Sequence, residues 1–166
     1  MTSETASRMN DPGSTVPSAT RRLPPDAAGI AEGAARLRAG RLVAFPTAAV
    51  PGLGADATDP AAVTGIFAAK ARPRFNPLIS HLPDAAAALA EGVFDAPARR
   101  LSEAFWPGPL TLVVPAHTGT RVCDLARAGL PSLALRVPAH PLARDLLAEV
   151  GRPVAAPSAN RSGRVS

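Results

Sequence analysis

Short apolar segments alternate along the chain with segments that carry helix-start signals, and this alternation constrains the fold more than any other feature. Asp59 followed by Pro60 is typical of a helix N-cap and first helical position, and the apolar stripe that follows ends near Lys70. Further helices are predicted over residues 26–40, 84–92, 95–105 and 140–151, and strands within RLVAFP, LISHL, LTLVVPA, SLALRVP and PVAA. Strands that alternate with helices indicate an α/β domain.

The ends of the chain and two internal segments lead to more specific expectations. Residues 1–25 are rich in Ser, Thr, Pro and Gly and are predicted to form a disordered leader, with one domain over residues 26–166. RLVAFP is typical of a buried strand, and PGLGAD, which holds Gly52 and Gly54, is predicted to be a tight turn from strand to loop. The sequence stops at RSGRVS, directly after a strand and a polar turn, so we expect a domain truncated at its C-terminal end.

Lys70 is the single lysine of a chain that has 17 arginines among its 18 basic residues. The net charge of +5 favours phosphates or other polyanions as ligands, although a composition rich in Arg and Ala also reflects a GC-rich genome. Lysine is a compact, flexible point charge that a planar guanidinium cannot replace. Lys70 is therefore either a functional cation or an ordinary surface residue.

The apolar segments and the single cysteine favour a cytoplasmic location. No apolar run approaches the roughly 18 residues that a membrane-spanning helix needs, and the N-terminus has no apolar segment typical of a secretory signal. Cys123, the one cysteine, cannot form an internal disulfide, which fits a reducing compartment.

Several catalytic classes are disfavoured because their motifs are missing. The sequence has no Walker-type phosphate loop, no third glycine of a dinucleotide fingerprint and no G-x-S-x-G elbow. His81, His117 and His140 lie far apart without the spacing of a metal site, so we expect no built-in metal. Cys123 has no recognisable base near it and is better explained as an incidental or buried thiol than as a nucleophile.

An anion site remains as the strongest candidate. Lys70, Arg72 and Arg74 lie within five residues at the end of a predicted helix and in the loop after it, where they could converge on a polyphosphate. Ser158 and Asn160 follow a predicted strand, at the position where open α/β sheets place ligands. A solvated basic loop and a standard polar turn are the alternatives for these two segments.

Five motifs in order carry a resemblance to one family. FPTAAVPGLGAD, IFAAKARPRFNPLISHL, FWPGPLTLV, LALRVPAHP and AAPSANRSG resemble the YrdC-type L-threonylcarbamoyl-AMP synthases from about Gly40 to Ser166. The resemblance implies a YrdC-like single α/β domain with a twisted mixed sheet and a basic concave cavity. It also implies formation of threonylcarbamoyl-AMP and pyrophosphate from L-threonine, bicarbonate and ATP. A separate threonylcarbamoyl transferase would use this adenylate to modify adenosine 37 of tRNA, and contact with RNA is part of the expectation.

The resemblance also suggests a role for each candidate residue. Lys70 and Arg72 would be catalytic; Lys70 and Arg74 would hold the triphosphate, and Arg72 a phosphate or the threonine carboxylate. Threonine would be positioned by Thr47, His81 and Ser158. The nucleotide or the intermediate would be contacted by Arg136 and Asn160. Magnesium is expected to arrive with ATP, held largely by phosphate and water.

Two departures from the family pattern lead us to expect weak or no synthase activity. The first motif usually reads P-T-E-T-V-Y-G-L-G, whereas this chain has Ala48, Ala49 and Pro51 in place of Glu, Thr and Tyr. Family members also continue for some tens of residues beyond the S-G-x-x-S segment, with more strands and nucleotide contacts. The missing strands would expose a sheet edge.

Three other functions compete with a synthase. A nucleic-acid-binding module would use the basic surface, although Tyr is absent and aromatic residues make up only 4% of the chain. A non-catalytic remnant is the second: it would either keep the fold and bind RNA or nucleotide without turnover, or neither fold stably nor bind a ligand. A carbamoyl-transfer domain of the hydrogenase-maturation type is the third, but the zinc-finger and acylphosphatase segments that accompany it are missing here.

Overall fold

The protein is described from a computed structural model, over residues 20–48 and 50–160. The predicted leader up to residue 19, Ala49 of the first motif and the final RSGRVS segment lie outside this part of the chain. Eleven elements follow one another: α1 (Ala27–Arg38), β1 (Val43–Pro46), β2 (Pro51–Asp56), α2 (Pro60–Lys70), β3 (Ile79–His81), α3 (Ala85–Glu91), α4 (Ala96–Phe105), β4 (Leu112–Pro115), β5 (Ser132–Arg136), α5 (Pro141–Val150) and β6 (Val154–Ala155).

The six strands form one mixed sheet in the order β1-β2-β6-β3-β5-β4. The pair β3 and β5 is parallel, with Ile79 opposite Ala134 and His81 opposite Arg136, and the other neighbouring strands are antiparallel. The last strand, β6, lies between β2 and β3, with Ala155 opposite both Ala55 and Ser80. The prediction of an α/β domain with a mixed sheet is therefore confirmed.

Two apolar clusters pack against the sheet. The larger one includes Leu135 and Ala155, together with side chains from α2 and the buried ring of Trp106. The smaller one joins α1 and α5 to Phe45 and Val154. Because side chains alternate along a strand, Arg136 and Val154 lie on the opposite face of the sheet from their neighbours Leu135 and Ala155.

Four of the predicted helices begin directly after an aspartate, and the N-cap predicted at Asp59 is confirmed. Asp26, Asp59, Asp84 and Asp95 each occupy the N-cap, and each carboxylate accepts a hydrogen bond from a backbone N–H of the first turn. Such a cap stabilises a helix by about 1 kcal/mol. The predicted strands in LISHL, LTLVVPA, SLALRVP and PVAA are present as well.

Two local predictions were wrong. PGLGAD is not a turn but the six-residue strand β2, which pairs with β1 on one side and β6 on the other. A Cβ on Gly54 would lie 2.6 Å from the Phe45 ring and 3.0 Å from Cγ1 of Val154, so close strand packing explains this glycine better than turn chemistry. Among the described strands, RLVAFP lies at the edge of the sheet rather than in its buried centre, and within β1 only Phe45 is buried.

Residues 20–25 of the predicted leader run without regular structure beside α1. Arg21 forms an ion pair with Glu32 of α1 at 2.9 Å. No helix within the described residues is long and apolar enough to span a bilayer.

Candidate active site around Lys70

Lys70 is the last residue of α2, and its side chain is turned into the protein. Ala71 adopts a left-handed conformation with φ of 50° and ends the helix there. Lys70 is 2% exposed, and its Nζ donates hydrogen bonds to the backbone carbonyl oxygens of Ser158 and Asn160. Burial lowers the pKa of the Lys70 ammonium, and the neighbouring positive charge of Arg72 lowers it further. The Lys70 and Ser-x-Asn motifs thus meet at one point.

The segment after β6 is fixed in position by β2. Ser158 forms an antiparallel bridge with Gly52, and the backbone N–H of Ala159 donates to the carbonyl of Pro51 at 2.8 Å. The N–H of Leu53 donates to the carbonyl of Pro157, also at 2.8 Å. These bonds place the carbonyls that receive Lys70.

Thr47 lies beside the same segment. It follows β1, and its hydroxyl donates to the carbonyl of Val50 at 2.7 Å. A Cβ added at Gly52 would meet Cγ2 of Thr47 at 3.0 Å and Cβ of Ala156 at 3.2 Å, so the threonine packs closely over this glycine. Since Gly52 is also the bridge partner of Ser158, the structure brings Thr47 into the neighbourhood of Ser158 and Lys70.

The two arginines of the following loop differ in their surroundings. Arg72 is half-buried; its Nη2 lies 3.4 Å from the carbonyl of Pro77, and its Nε is buried without a hydrogen-bond partner among the described residues. Arg74 is exposed. The loop therefore offers one cation beside Lys70 and one in solvent, rather than three converged side chains.

His81 and Arg136 are cross-strand neighbours on β3 and β5. His81 is 1% exposed and packs edge-on against Phe45, with ring centroids 6.4 Å apart. Burial, followed by the charge of Arg136, lowers the pKa of His81 to about 4, so the imidazole is neutral at physiological pH. Its Nδ1 has no hydrogen-bond partner within residues 20–48 and 50–160.

Arg136 supplies a second partly buried cation on this face. Its Nε donates to the hydroxyl of Thr111 at 2.8 Å, and burial lowers the pKa of its guanidinium. Thr111 did not emerge from the sequence as a candidate residue. It stands in the GPLTLV segment just before β4, and a polar residue at the start of an otherwise apolar strand is the signal that could have identified it.

The candidate residues therefore form two groups linked through β6. Lys70, Thr47, Ser158 and Asn160 lie where β2 meets the segment after β6. His81 and Arg136 lie on β3 and β5, and His81 also pairs with Val154 of β6. Buried or half-buried cations with few competing carboxylates nearby suit a ligand that carries several negative charges.

Two buried carboxylates elsewhere are fully engaged and belong to the scaffold. Asp56 accepts from Thr58 and pairs with Arg152 at 2.7 Å. Glu91 pairs with Arg121 at 2.7 Å and also accepts from the hydroxyl of Thr120. These contacts stabilise buried charge and leave the two carboxylates no evident catalytic task.

Comparisons with known proteins identify the family of this chain. The Sua5/YciO/YrdC family profile, described as "Telomere recombination", matches residues 35–166. A threonylcarbamoyl-AMP synthase of Bacillus subtilis is 48% identical over 139 residues, covering 82% of this chain and 40% of the relative. A threonylcarbamoyl-AMP synthase of Chromohalobacter salexigens is 42% identical over 136 residues, covering 81% of this chain and 72% of the relative.

Solved structures show the same fold. The crystal structure of Pyrococcus abyssi Sua5 complexed with L-threonine superposes with a TM-score of 0.80 at 44% identity, covering 88% of this chain and 42% of that one. Escherichia coli YciO, at 23% identity and a TM-score of 0.67, shares the fold. The chain spans about 40% of the length of the Bacillus and Pyrococcus relatives. With the motifs, the sheet and the family profile in agreement, the chain belongs to the Sua5/YciO/YrdC family.

Proposed function

We propose that this protein is an L-threonylcarbamoyladenylate synthase, a nucleotidyltransferase that makes threonylcarbamoyl-AMP for the modification of adenosine 37 in tRNA. The names of its relatives support the reaction class, and the threonine complex of Pyrococcus abyssi Sua5 supports threonine as a substrate. ATP and bicarbonate are the other two substrates of the proposal.

The observation that carries this proposal is the contact of Lys70 with the carbonyls of Ser158 and Asn160. An ammonium has three N–H donors, and these two contacts use two of them. The third remains for a phosphate oxygen. A lysine held in this way is a point charge of fixed position, as a site for a triphosphate requires.

The proposed reaction has two steps. The amine of threonine and bicarbonate form a carbamate and release water. A carbamate oxygen then attacks the α-phosphorus of ATP, the bond from the α-phosphorus to the bridging oxygen breaks, and pyrophosphate leaves. Both reactants are anions, so placement and positive charge lower the barrier more than an acid or base would.

The cations divide this work in the proposal. Lys70 and Arg72 stabilise the charge at the reacting phosphate, Arg74 reaches the distal phosphates from solvent, and Arg136 contacts the nucleotide or the intermediate together with Asn160. The Nε of Arg72 supports its assignment: it is buried and has no hydrogen-bond partner in the described part of the chain, and a substrate oxygen would supply the acceptor that a buried N–H donor needs. Magnesium enters with ATP and is held by phosphate oxygens and water.

Thr47, His81 and Ser158 hold threonine in this proposal. His81 is neutral at physiological pH because of its lowered pKa, so its Nδ1, which has no hydrogen-bond partner among the residues described, can act as an acceptor or a donor according to tautomer. Ala48 is exposed, and the contacts that a glutamate would make there are lost. Pro51 keeps one structural role, because its carbonyl accepts from Ala159.

Release of pyrophosphate from ATP tests the proposal. The purified chain is assayed with and without threonine and bicarbonate, beside Lys70→Met and a matched Arg100→Ala control on the exposed surface of α4. A synthase is supported if the wild type and Arg100→Ala release pyrophosphate only when threonine and bicarbonate are both present, and if Lys70→Met does not release it. A folded chain that binds ATP without releasing pyrophosphate is instead the non-catalytic remnant.

Contact with double-stranded RNA or tRNA, a cytoplasmic location and delivery of the adenylate to a separate transferase complete the proposal. The net charge of +5 supports the RNA contact. Binding of a labelled tRNA across a salt series tests it, and an affinity that does not change with salt would contradict an electrostatic contact.

A further inference from the structure

Thr111 holds one side of the Arg136 guanidinium. Because Leu112 of β4 pairs with Leu135 of β5 in antiparallel register, Thr111 just before β4 stands opposite Arg136. The Nε of Arg136 donates to the Thr111 hydroxyl oxygen at 2.8 Å, and both residues are partly buried. On its other side, Arg136 lies opposite His81 of β3. Thr111, Arg136 and His81 therefore form one row across three strands, on the same face of the sheet.

The segment before β4 keeps the Thr111 hydroxyl in place. The backbone N–H of Gly108 donates to the carbonyl of Val137, the residue that follows β5, at 2.8 Å. The buried indole of Trp106 donates through Nε1 to the carbonyl of Leu110, also at 2.8 Å. Threonine is branched at Cβ, which restricts its χ1 rotamers. The fold therefore fixes the position of the hydroxyl acceptor on both sides of this turn.

Arg136 differs from the arginines of the scaffold in the charge of its partner. Arg121, Arg127 and Arg152 are each paired with a carboxylate. Within the part of the chain that the structure describes, Arg136 forms no ion pair, and its partner Thr111 is neutral. A carboxylate would offset the charge of the guanidinium, whereas a hydroxyl holds the group and leaves its charge available. A neutral anchor is what an arginine that binds an anion needs.

The same hydrogen bond limits how Arg136 can bind an anion. A guanidinium has five N–H donors, and a carboxylate or phosphate takes two of them, either along the Nε side or across the two Nη groups. The contact with Thr111 occupies the Nε side. The Nη groups make no hydrogen bond with residues 20–48 or 50–160. An anion would therefore bind end-on, across both Nη groups.

We propose that Thr111 is the positioning residue that fixes Arg136 for end-on, bidentate binding of a substrate phosphate or carboxylate. This inference rests on the proposed function, because it requires Arg136 to contact a substrate. Loss of the Thr111 hydroxyl leaves the charge of Arg136 intact but frees its guanidinium to rotate. Affinity for the anion should then fall while the fold is kept.

Calorimetric titration of the full chain with magnesium-ATP alone and with threonine alone tests the proposal. Arg136→Lys keeps the charge but loses the planar fork, so it shows which of the two ligands this arginine binds. Thr111→Val should weaken binding of that same ligand about fivefold to tenfold, and Thr111→Ser should restore it. Thr64→Val is the matched control, because the Thr64 hydroxyl bonds a carbonyl within α2, and it should bind like the wild type.

Thr111→Asp tests whether the anchor must be neutral. Its carboxylate can still accept from the Arg136 Nε, but it offsets the charge of the guanidinium. Anion binding should therefore weaken at least as much as in Thr111→Val. Wild-type affinity in Thr111→Asp would contradict the neutral anchor.

A spectroscopic readout separates positioning from a general loss of stability. In nitrogen–proton correlation spectra of the labelled protein, the Arg136 Nε–H signal is the one that disappears in Arg136→Lys. Thr111→Val should shift this signal and speed its exchange with solvent, whereas Thr111→Ser and Thr64→Val should leave it near its wild-type position. An unmoved signal in Thr111→Val would show that the hydroxyl does not hold Arg136.

The binding results separate this inference from the proposed function. Weaker binding in Arg136→Lys, with unchanged affinity for both ligands in Thr111→Val, would overturn the positioning role. Unchanged affinity for both ligands in Arg136→Lys would overturn it as well, since this arginine would then bind no substrate. Failure of the proposed function looks different: the Thr111 variants would change binding as expected, yet the wild type would release no pyrophosphate.

Discussion

Lys70 donates a hydrogen bond to the carbonyl oxygen of Asn160, a residue ninety positions later in the chain. A second bond to the carbonyl of Ser158 joins the end of α2 to the segment after β6. The same lysine therefore ties two distant parts of the chain together and carries the charge that the proposed reaction needs.

Lys70→Met should abolish most pyrophosphate release, with a loss of about 100-fold or more, because a fixed cation at the reacting phosphate is removed. It should also lower the free energy of unfolding by about 1–3 kcal/mol, since two carbonyls lose their buried donor. Activity assays and urea unfolding measure the two effects. Full activity in this variant would remove Lys70 from the proposed mechanism.

His81 should make stability depend on pH between about 6.5 and 4. Its pKa is lowered from 6.5 to about 4 in the folded state, so in this range the unfolded chain binds more protons than the folded one. Stability is then complete above about pH 6.5 and falls, by about 3 kcal/mol in all, as the pH approaches 4.

Urea unfolding of the wild type and of His81→Phe across this range measures that contribution. The variant should lose this part of the pH dependence, whereas His117→Asn, a change at an exposed histidine, should keep it. Identical pH profiles for the wild type and His81→Phe would show that another group causes the dependence.

Gly54→Ala should destabilise the protein by about 1–3 kcal/mol. The new methyl would meet the Phe45 ring at 2.6 Å, and β1 would have to move away from β2. Gly65→Ala is the matched control. Gly65 lies inside α2, and its new Cβ would lie 3.4 Å from the Leu42 side chain, so the change should be neutral or slightly stabilising. Equal thermal midpoints for the two variants would refute the close-packing explanation.

Arg152→Ala should cost about 1–3 kcal/mol, because Asp56 is 1% exposed and would keep only its contacts with Thr58. The half-exposed Arg152 side chain keeps the loss below that of a fully buried pair. Chemical denaturation of Arg152→Ala, with Arg100→Ala as the control, measures this loss of unfolding free energy. A loss no larger than that of the control would mean that water replaces the guanidinium.

Restoring the usual first motif should raise synthase activity if its altered residues limit turnover. The triple change Ala48→Glu, Ala49→Thr and Pro51→Tyr returns the polar groups that the family resemblance assigns to this segment. Pyrophosphate release with saturating ATP and a threonine titration compares the two proteins. A lower KM for threonine is expected, and an unchanged KM would place the limitation elsewhere in the chain.

Helix boundaries were predictable from the sequence because their signals are local. Asp26, Asp59, Asp84 and Asp95 each cap a helix within three residues of the atoms they bond. β2 was missed because its two glycines resemble a turn when only near neighbours are considered. The close approach of Phe45 and Val154 to Gly54, and of Thr47 and Ala156 to Gly52, exists only after the strands pair.

The candidate site was predictable in its members but not in its geometry. Lys70, Ser158 and Asn160 were all identified, yet burial of the lysine against two backbone carbonyls depends on contacts across the whole domain. The pairing of His81 with Arg136 likewise follows from the parallel register of β3 and β5. Arg74 is exposed. The spacing of the basic residues alone could not show whether Arg74 points into solvent or toward Lys70 and Arg72.

The central place of β6 has a consequence for how the protein forms during synthesis. Within the described sheet, the β1–β2 hairpin and the β3–β5–β4 group are joined only by β6, through Val154 and Ala155. A growing polypeptide cannot join these two halves until those residues have left the ribosome, so the facing strand edges of both halves stay unpaired while the preceding residues are synthesised. The order of the strands therefore leaves the nascent chain with edges open to aggregation until β6 has been made.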